Sequence, residues 1–282
     1  MIDVCELDLT EKPLVSVWCL TYNFAPYIAK ALDSFLEQKT DFAFEILVHD
    51  DCSTDETVGI LREYQARYPQ KIRLLLEEAN QGTKHLHRFL DRVRGDWVAI
   101  CEGDDYWCDA HKLQRQMDFL RAHPKYSMAF HACRIEEAGQ IVEEFIPYKR
   151  PKTVPIRDVI VVGGWLCPSA SCVFKTEHLH RLPEYYLAAD VADYPMQIYM
   201  ATCGKVYYTP DIMSVYRRGH AGSWSTNLAA SWNNRLAQWQ REKQWMDLFN
   251  RTTKYQYCLL VWARECKCRL VLLRDRWRAR KS

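Results

Sequence analysis

The sequence lacks the segments that would place a protein in or across a membrane. No apolar run approaches the roughly 18 residues that a membrane-spanning helix needs. The N-terminal segment is acidic, without the apolar core of a secretory signal. The net charge is only +2, which gives no argument for a nucleic-acid partner. These absences predict a cytoplasmic protein that does not bind nucleic acid.

Paired cysteines are also missing, although the chain has twelve cysteines. No C-x-x-C pair occurs, and several cysteines lie inside apolar, strand-like runs, where a thiol acts as a small hydrophobic group. Clustered cysteines would be typical of a zinc site or a disulfide scaffold. The scattered ones indicate free thiols in a reducing cytoplasm.

Internal repeats, flexible linkers and low-complexity segments are absent as well, so the period of the apolar residues is the main guide to the fold. Strands are predicted at Leu14–Leu20, Phe44–His49, Lys71–Leu76, Trp97–Cys101 and Tyr126–Ala132. Helices are predicted between them at Pro26–Gln38, Ser53–Tyr68, His85–Val93 and Lys112–Ala122, the second opened by a capping box of Ser53 and Glu56. This alternation predicts an α/β fold, a mixed and mostly parallel sheet with helices on both faces.

The pattern is weaker beyond residue 140. Strands are predicted at Ser169–Lys175 and Lys205–Arg217, with a helix at Tyr194–Cys203 between them. Two amphipathic helices, Ser231–Asn250 and Tyr255–Trp277, close the sequence. We therefore divide the chain into an α/β body over residues 1–225 and a C-terminal helical extension over residues 226–282.

Polar residues follow three of the predicted strands at the point where each strand ends. They are Thr21–Asn23, His49–Asp51 and Glu102–Asp105. In an open α/β sheet, ligands bind outside the carboxyl ends of the strands, so these groups are expected to converge. So many carboxylates at one edge require a neutralising cation, and Mg²⁺ or Mn²⁺ prefers such oxygen ligands.

The motifs at these strand ends resemble those of the GT-A-fold glycosyltransferases of family 2, of the bacterial cell-surface polysaccharide type. The resemblance rests on VSVWCLTYN, ILVHDDCSTDET, the N-x-G turn at Asn80–Gly82, and GDWVAICEGDDYW followed by KLQRQ. It implies a Rossmann-like nucleotide-sugar half over about 14–131 and an acceptor half over about 132–225. It also implies inverting transfer of a sugar, most simply from a UDP-sugar, to a glycan or lipid-linked acceptor.

The resemblance assigns roles on the donor side. Thr21, Tyr22 and Asn23 would pack on the nucleotide base, Asp51 with Asp50 beside it would bond that base, and Lys84 or Arg88 would contact the nucleotide or diphosphate. Asp104 and Asp105 match the D-x-D region and would hold Mn²⁺ or Mg²⁺, or one of them the ribose; Glu102 would be a weaker third ligand. The cation would neutralise the charge of the departing diphosphate.

On the acceptor side, the resemblance makes Asp193 the catalytic base, with Asp190 as the nearby rival. An ordinary helix N-cap is the alternative interpretation of Asp193, since Asp is favoured there. Arg217 and His220 would meet the diphosphate or the metal. Trp165 and Ser169, in the segment WLCPSAS, would line the acceptor pocket, although an ordinary loop before a strand would look the same.

The C-terminal helix combines an apolar stripe with many basic residues. The stripe comprises Leu259, Trp262, Cys266, Leu270, Leu273 and Trp277, and residues 254–282 carry a charge of about +7. Such a helix can lie on an anionic membrane surface, which would make the protein peripheral on the inner face of the membrane. Alternatively, the stripe packs on the catalytic domain or on a second subunit in a homodimer.

Two other classes of function remain open at this point. A sugar-phosphate nucleotidyltransferase also sets acids at a strand end, but it usually has a glycine-rich loop after the first strand, and Thr21–Pro26 contains no glycine. A non-catalytic nucleotide-sugar-binding protein would need the donor motifs and no catalytic base. In a protein of that class Asp193 would be dispensable.

Overall fold

A computed structural model describes residues 2–3, 12–82, 91–220, 226 and 231–279. Within these residues eleven strands form one sheet in the order β1-β4-β3-β2-β5-β10-β7-β11-β6, with β8 beside β7 and β9 beside β11. The strands are β1 Ile2–Asp3, β2 Val15–Thr21, β3 Phe44–Asp50, β4 Ile72–Leu76, β5 Trp97–Ile100, β6 Tyr106–Trp107, β7 Tyr126–Glu137, β8 Gln140–Phe145, β9 Lys152–Val154, β10 Val173–Lys175 and β11 Lys205–Arg218.

The central strands are parallel, as the alternating pattern predicts. β2 pairs in parallel with β3 and β5, and β3 pairs in parallel with β4. Beyond β5, the short strand β10 from the second half of the chain lies antiparallel between β5 and β7. The predicted mixed, mostly parallel sheet is therefore confirmed, with its two halves joined through a strand of only three residues.

Helices cover both faces of the sheet. They are α1 Ile28–Leu36, α2 Thr57–Arg67, α3 Lys112–Ala122, α4 Ile156–Val162, α5 Thr176–Leu179, α6 Glu184–Leu187, α7 Asp193–Cys203, α8 Trp232–Thr252 and α9 Cys258–Ala279. The predicted bounds of α3 are correct. α4, β8 and β9 were not predicted, and the prediction ended β7 too early. The predicted helix His85–Val93 falls mostly outside the described residues.

The predicted capping box at Ser53 is wrong. The helix begins at Thr57, and its N-cap residue Glu56 makes no side-chain capping bond. The Ser53 hydroxyl instead donates to the Asp50 carboxylate at 2.5 Å, and its backbone N–H donates to the same group at 2.8 Å. A buried carboxylate competes successfully for this serine because it needs donors that water cannot supply.

Alternation along the central strands builds a core on each face of the sheet. In β2, Val15, Val17 and Cys19 pack into the core beneath α1, α2 and α3. Trp18 points to the opposite face, into the core formed with α4, α7 and the C-terminal helices. Successive strand side chains point to opposite faces, so a strand covered on both sides is apolar throughout.

The two C-terminal helices pack on the α/β body through one face only. Trp245, Met246 and Phe249 of α8 and Val261 of α9 join the main core. We call α8 and α9 together the C-terminal hairpin. Among the described residues, no helix combines the length and apolarity that crossing a membrane requires.

Most of the predicted apolar stripe of α9 lies on the side away from the body; Cys266 is partly buried, and the side chain of Trp277 lies outside the described residues. Leu259 is 76% exposed and Trp262 is 65% exposed, and Leu270 and Leu273 are also exposed. The alternative in which this stripe packs on the catalytic domain is therefore wrong. The helix packs inward through other residues, such as Val261 and Leu272. Because these residues are apolar too, composition alone does not distinguish the buried face of the helix from the exposed one.

The hairpin is expected to contribute strongly to stability through Phe249. This side chain is fully buried and lies against the rings of Tyr185 and Tyr257 at 5.2 and 5.6 Å between centroids. Phe249→Ala should lower the free energy of unfolding by about 3–5 kcal/mol, measured by denaturant titration. The matched control Leu259→Ala, on the exposed stripe, should change it by less than about 0.5 kcal/mol. Equal effects of the two would contradict this packing.

Candidate active site

The polar ends of three central strands meet at one edge of the sheet. The Asp51 backbone N–H donates to the Thr21 carbonyl at 3.0 Å, joining the ends of β3 and β2. The Gly103 N–H donates to the Leu20 carbonyl at 2.7 Å, joining β5 to β2 from the other side. The three predicted motifs are therefore neighbours in space, as expected for the carboxyl ends of parallel strands.

Asp50 and Asn23 hold the loops at this edge rigid. Asp50 is fully buried, and both its oxygens accept hydrogen bonds from Ser53. The Asn23 side chain accepts from the Thr54 N–H at 2.8 Å, and its backbone N–H donates to the Ser53 hydroxyl. Asn23 (φ 55°) and Cys52 (φ 64°) both adopt left-handed backbone conformations, which non-glycine residues seldom do without such support.

Asp51 connects the end of β3 to the N-x-G turn. Its two carboxylate oxygens accept from the backbone N–H groups of Gln81 at 2.7 Å and Gly82 at 2.8 Å. A carboxylate has about four acceptor positions, so further acceptor capacity remains for a nucleotide base. Lys84 and Arg88, predicted after this turn, lie outside the described residues.

Thr21 and Gly103 lie in contact beneath this edge. Thr21 is buried, and its hydroxyl has no hydrogen-bond partner among the described residues. A Cβ on Gly103 would approach the Thr21 side chain to 3.0 Å and Ile28 to 2.9 Å, so only glycine fits here. Tyr22, next along the chain, is 41% exposed and open to a ligand.

Arg217 holds the acidic run in place. Its backbone N–H donates to the Asp105 carboxylate at 2.8 Å, and its guanidinium donates to the Asp104 carbonyl at 2.7 Å. The same guanidinium pairs with Glu136 at 2.8 Å and lies over the Tyr106 ring. Arg217 is buried by these contacts, and Asp105 is buried with it.

Asp104 and His220 face each other beside this buried pair. The His220 Nε2 lies 3.1 Å from the Asp104 carboxylate, and its ring packs against Tyr27 at 4.8 Å between centroids. A carboxylate oxygen and an imidazole nitrogen are both ligands that Mn²⁺ accepts. Within the described part of the chain no set of three such side chains forms a ready-made metal cluster. A cation here would therefore complete its coordination with diphosphate oxygens and water.

The carboxylates of Glu102, Asp104 and Asp105 lie close together, and this disfavours their charged forms. Burial, with the charge of Asp104 added, raises the pKa of Glu102 to about 7, against an opposing hydrogen bond from Ser169. Burial and the same Asp104 charge raise the pKa of Asp105. Ionised carboxylates this close together are stable only beside positive charge, and the donor set therefore fits a divalent cation.

A cavity of about 440 Å³ opens beside the acidic run. Its walls come from β2, the acidic run, the second half of the body and the C-terminal hairpin, and they include Asp104, Trp165, Ser169, Asp193, Glu242 and Arg264. Trp165 is half-exposed there and meets Tyr216 edge-to-face at 6.0 Å between centroids. The cavity therefore brings the predicted acceptor residues and the predicted base to the same space as the acidic run Glu102–Asp105.

Asp193 lies in the first turn of α7 and is not its N-cap. The N-cap is Ala192, so the prediction that Asp193 is the N-cap residue is wrong, although its carboxylate accepts a hydrogen bond from the Tyr194 backbone N–H within the first turn. Burial raises the pKa of Asp193, and the charge of Glu242 adds to this effect. Asp190, the rival base, is engaged in an ion pair with Arg241.

Glu242 and Arg264 are site residues that the sequence analysis missed. They lie on the C-terminal hairpin, more than 40 residues from Asp193 in sequence, and they line the same cavity. In the sequence they are only two of the many charged residues on the two amphipathic helices. Such residues usually face solvent.

Comparison with known proteins identifies the family. A model of "Glycosyl transferase family 2" matches residues 16–181. The chain belongs to glycosyl transferase family 2. The predicted resemblance is confirmed, and an uncharacterized Mycobacterium tuberculosis protein is 36% identical over 215 residues, covering 74% of this chain. This family 2 chain spans 60% of the length of that relative.

Other similar proteins and solved structures extend the comparison. TuaG of Bacillus subtilis, named as a teichuronic acid biosynthesis glycosyltransferase, is 36% identical over 110 residues, covering 39% of this chain and 42% of TuaG. Staphylococcus aureus TarS, solved with UDP-GlcNAc, superposes with a TM-score of 0.58 at 20% identity, over 86% of this chain and 74% of that one. A Pyrobaculum calidifontis mannosyltransferase, solved with GDP-Man and Mn²⁺, superposes with a TM-score of 0.61 at 21% identity, over 93% of this chain and 73% of that one. The predicted GT-A fold is thereby confirmed.

The cation site predicts a metal-dependent affinity for nucleotide. Isothermal titration calorimetry should show tighter binding of UDP with Mn²⁺ present than without it. Asp104→Ala should weaken the Mn²⁺-dependent binding at least tenfold, because it removes the carboxylate that faces His220. The matched control Glu63→Ala, on the exposed face of α2, should leave it unchanged. Equal UDP affinity with and without Mn²⁺ would contradict a metal at this site.

Proposed function

We propose that this protein transfers a sugar from a nucleotide-diphosphate donor, with UDP-sugars favoured, to a glycan or lipid-linked acceptor in cell-surface polysaccharide synthesis. The carrying observation is that Asp193 and the acidic run Glu102–Asp105 border one cavity. Family membership, and relatives named for teichuronic acid and poly(ribitol-phosphate) glycosylation, support this class of reaction.

The donor would bind at the edge of the sheet, next to the acidic run that borders the cavity. Tyr22 would stack on the nucleotide base, and Asp51 would accept a hydrogen bond from it while also holding the N-x-G turn. Thr21 would contribute its unpartnered hydroxyl, and Asn23 and Asp50 would keep the loop in shape. A rigid loop binds a ligand without first losing conformational entropy.

Asp104 and His220 would hold Mn²⁺ or Mg²⁺, with Asp105 and Glu102 adding negative charge around it. The cation would supply Lewis acidity that neutralises the departing diphosphate. Arg217 fixes Asp104 and Asp105 through its hydrogen bonds to them. Its own charge is paired with Glu136. Direct contact of Arg217 with the diphosphate stays a prediction.

Asp193 would accept the proton of the acceptor hydroxyl as that oxygen attacks the sugar. Direct displacement with a single base inverts the configuration at the anomeric carbon. Trp165 offers an aromatic face on which a sugar ring of the acceptor can pack, and Ser169 lies beside Glu102 at the centre of the cavity. Family membership favours this transfer over nucleotidyl transfer, the alternative left open by the acidic strand ends.

The role of Asp193 predicts a specific loss of turnover. Asp193→Asn should lower kcat about 10²- to 10⁴-fold, because the amide cannot accept the proton, while UDP affinity stays unchanged. A base works only when deprotonated, and burial raises the pKa of Asp193. The acid limb of the kcat–pH profile of the wild type should therefore lie above about pH 4, the ordinary value for Asp.

A screen of UDP-sugars for slow donor hydrolysis, which needs no acceptor, supplies the assay. Full transfer activity in Asp193→Asn would remove this assignment of the base. An absence of any transfer or hydrolysis by the wild type would favour a non-catalytic nucleotide-sugar-binding protein.

We also propose that the exposed stripe of α9 places the protein at an anionic membrane surface. Leu259, Trp262, Leu270 and Leu273 form the stripe, and basic residues flank it on both sides: Arg269 and Arg276 on one, Arg274 on the other. Two copies meeting through this face would bring like charges together, which disfavours a homodimer through the stripe. Apolar residues between basic flanks instead complement anionic lipid headgroups.

The membrane proposal predicts vesicle binding that depends on both charge and apolar surface. The protein should sediment with phosphatidylglycerol-containing vesicles, less so at high salt, and not with pure phosphatidylcholine vesicles. Trp262→Ala with Leu270→Ala should weaken this binding at least tenfold, because each removes about 1.5–3 kcal/mol of apolar burial. The control Ile141→Ala with Val142→Ala, on the exposed strand β8, should have no effect. Binding that is equal in all variants would contradict the proposal.

A further inference from the structure

A partly buried ion pair connects the two helices of the C-terminal hairpin. The Arg264 guanidinium donates to both carboxylate oxygens of Glu242, at 2.7 and 3.0 Å. Both side chains are only 15% exposed. Two parallel N–H···O bonds fix the orientation of the guanidinium as well as its position, which a single ion pair does not.

The same guanidinium reaches from the hairpin into the α/β body. Its third nitrogen donates to the Val162 carbonyl, at the end of α4, at 3.0 Å. Gly163 follows in a left-handed conformation with φ 92°, and a Cβ there would lie 2.5 Å from Arg264. The turn after α4 and the guanidinium are therefore packed against each other without room for a side chain.

This turn lies directly against the residue proposed as the base. A Cβ on Gly164 would lie 3.2 Å from the Tyr194 Cβ and 3.6 Å from an Asp193 carboxylate oxygen. The Tyr194 hydroxyl donates to the Ile160 carbonyl of α4 at 2.5 Å, and its ring lies 5.3 Å from the Arg264 guanidinium. Arg264 thus contacts both the Gly163–Gly164 turn and the first turn of α7. Asp193 belongs to the first turn of α7, and its carboxylate lies against the Gly163–Gly164 turn.

We propose that Arg264 and Glu242 are positioning residues, which hold the Gly163–Gly164 turn and the start of α7 so that the Asp193 carboxylate faces the acceptor hydroxyl. The C-terminal hairpin is then part of the catalytic unit. This inference rests on the proposed role of Asp193 and extends it to residues outside the region that the family model matches.

The chemistry of arginine makes the arrangement sensitive to a conservative change. Lysine keeps the charge but cannot bond Glu242 through two nitrogens and the Val162 carbonyl through a third. A reacting group displaced by about 1 Å loses on the order of 100-fold in rate, even when the displaced residue is itself intact. None of these Arg264 contacts involves Tyr22 or Asp51, the residues proposed to bind the nucleotide base.

Arg264→Lys and Glu242→Gln test the inference, each assayed in the full chain with Mn²⁺, the donor found by the hydrolysis screen and a soluble acceptor. Each should lower kcat about 10- to 100-fold, with UDP affinity by calorimetry and the KM for donor changed less than about threefold. The matched control Arg251→Lys, on the exposed surface at the end of α8, should retain wild-type kcat. Thermal unfolding is measured for all variants, so that loss of fold is recognised.

The outcomes separate this inference from the proposed function. Wild-type kcat in a folded Arg264→Lys and Glu242→Gln would overturn the positioning role while leaving Asp193 as the base. A parallel loss of UDP affinity and kcat would also overturn it, because it would indicate general damage to the fold. If Arg264→Lys does not fold, Glu242→Gln, which keeps the shape of the side chain, decides alone. Full transfer activity in Asp193→Asn would instead remove the base assignment on which the inference rests, and an absence of transfer by the wild type would contradict the proposed function.

Discussion

The attachment of the acidic run to Arg217 is the contact on which the rest of the site depends. Carboxylates at the end of a buried strand repel one another and lose hydration, so they need fixed donors to keep one geometry. Arg217 supplies a backbone N–H to Asp105 and a guanidinium N–H to the Asp104 carbonyl. Its own charge is balanced by Glu136 from β7. The second half of the chain therefore determines where the donor-side carboxylates point.

Much of the fold was predictable because it depends on local patterns. The buried strands β2, β3 and β5 are apolar on both faces and end in polar residues, so both their type and the edge that carries ligands could be inferred. Ser53 shows where local rules fail: its sequence context suits a helix cap, but the buried Asp50 carboxylate takes its hydrogen bonds instead. The insertion of β10 between β5 and β7 depends on pairing between distant segments, which no short pattern records.

The site was predictable on the donor side and only partly on the acceptor side. The donor residues directly follow strands, so the apolar strand before each group predicts where that group lies. Glu242 and Arg264 reach the cavity only because the hairpin packs through Trp245 and Phe249. The apolar stripe of α9 does not mark the buried face of this helix, since its most regular apolar residues are exposed.

The helix α9 has two unlike faces, and this limits how the protein can be dissected. Arg264 and Val261 point to the body, whereas Leu259 and Trp262 point away from it. Removing the C-terminal hairpin to obtain a protein that does not bind membranes would also remove a wall of the cavity. An inactive truncated protein would then say nothing about lipid. Point substitutions, made on one side of the helix at a time, are the only way to study attachment and turnover as separate properties.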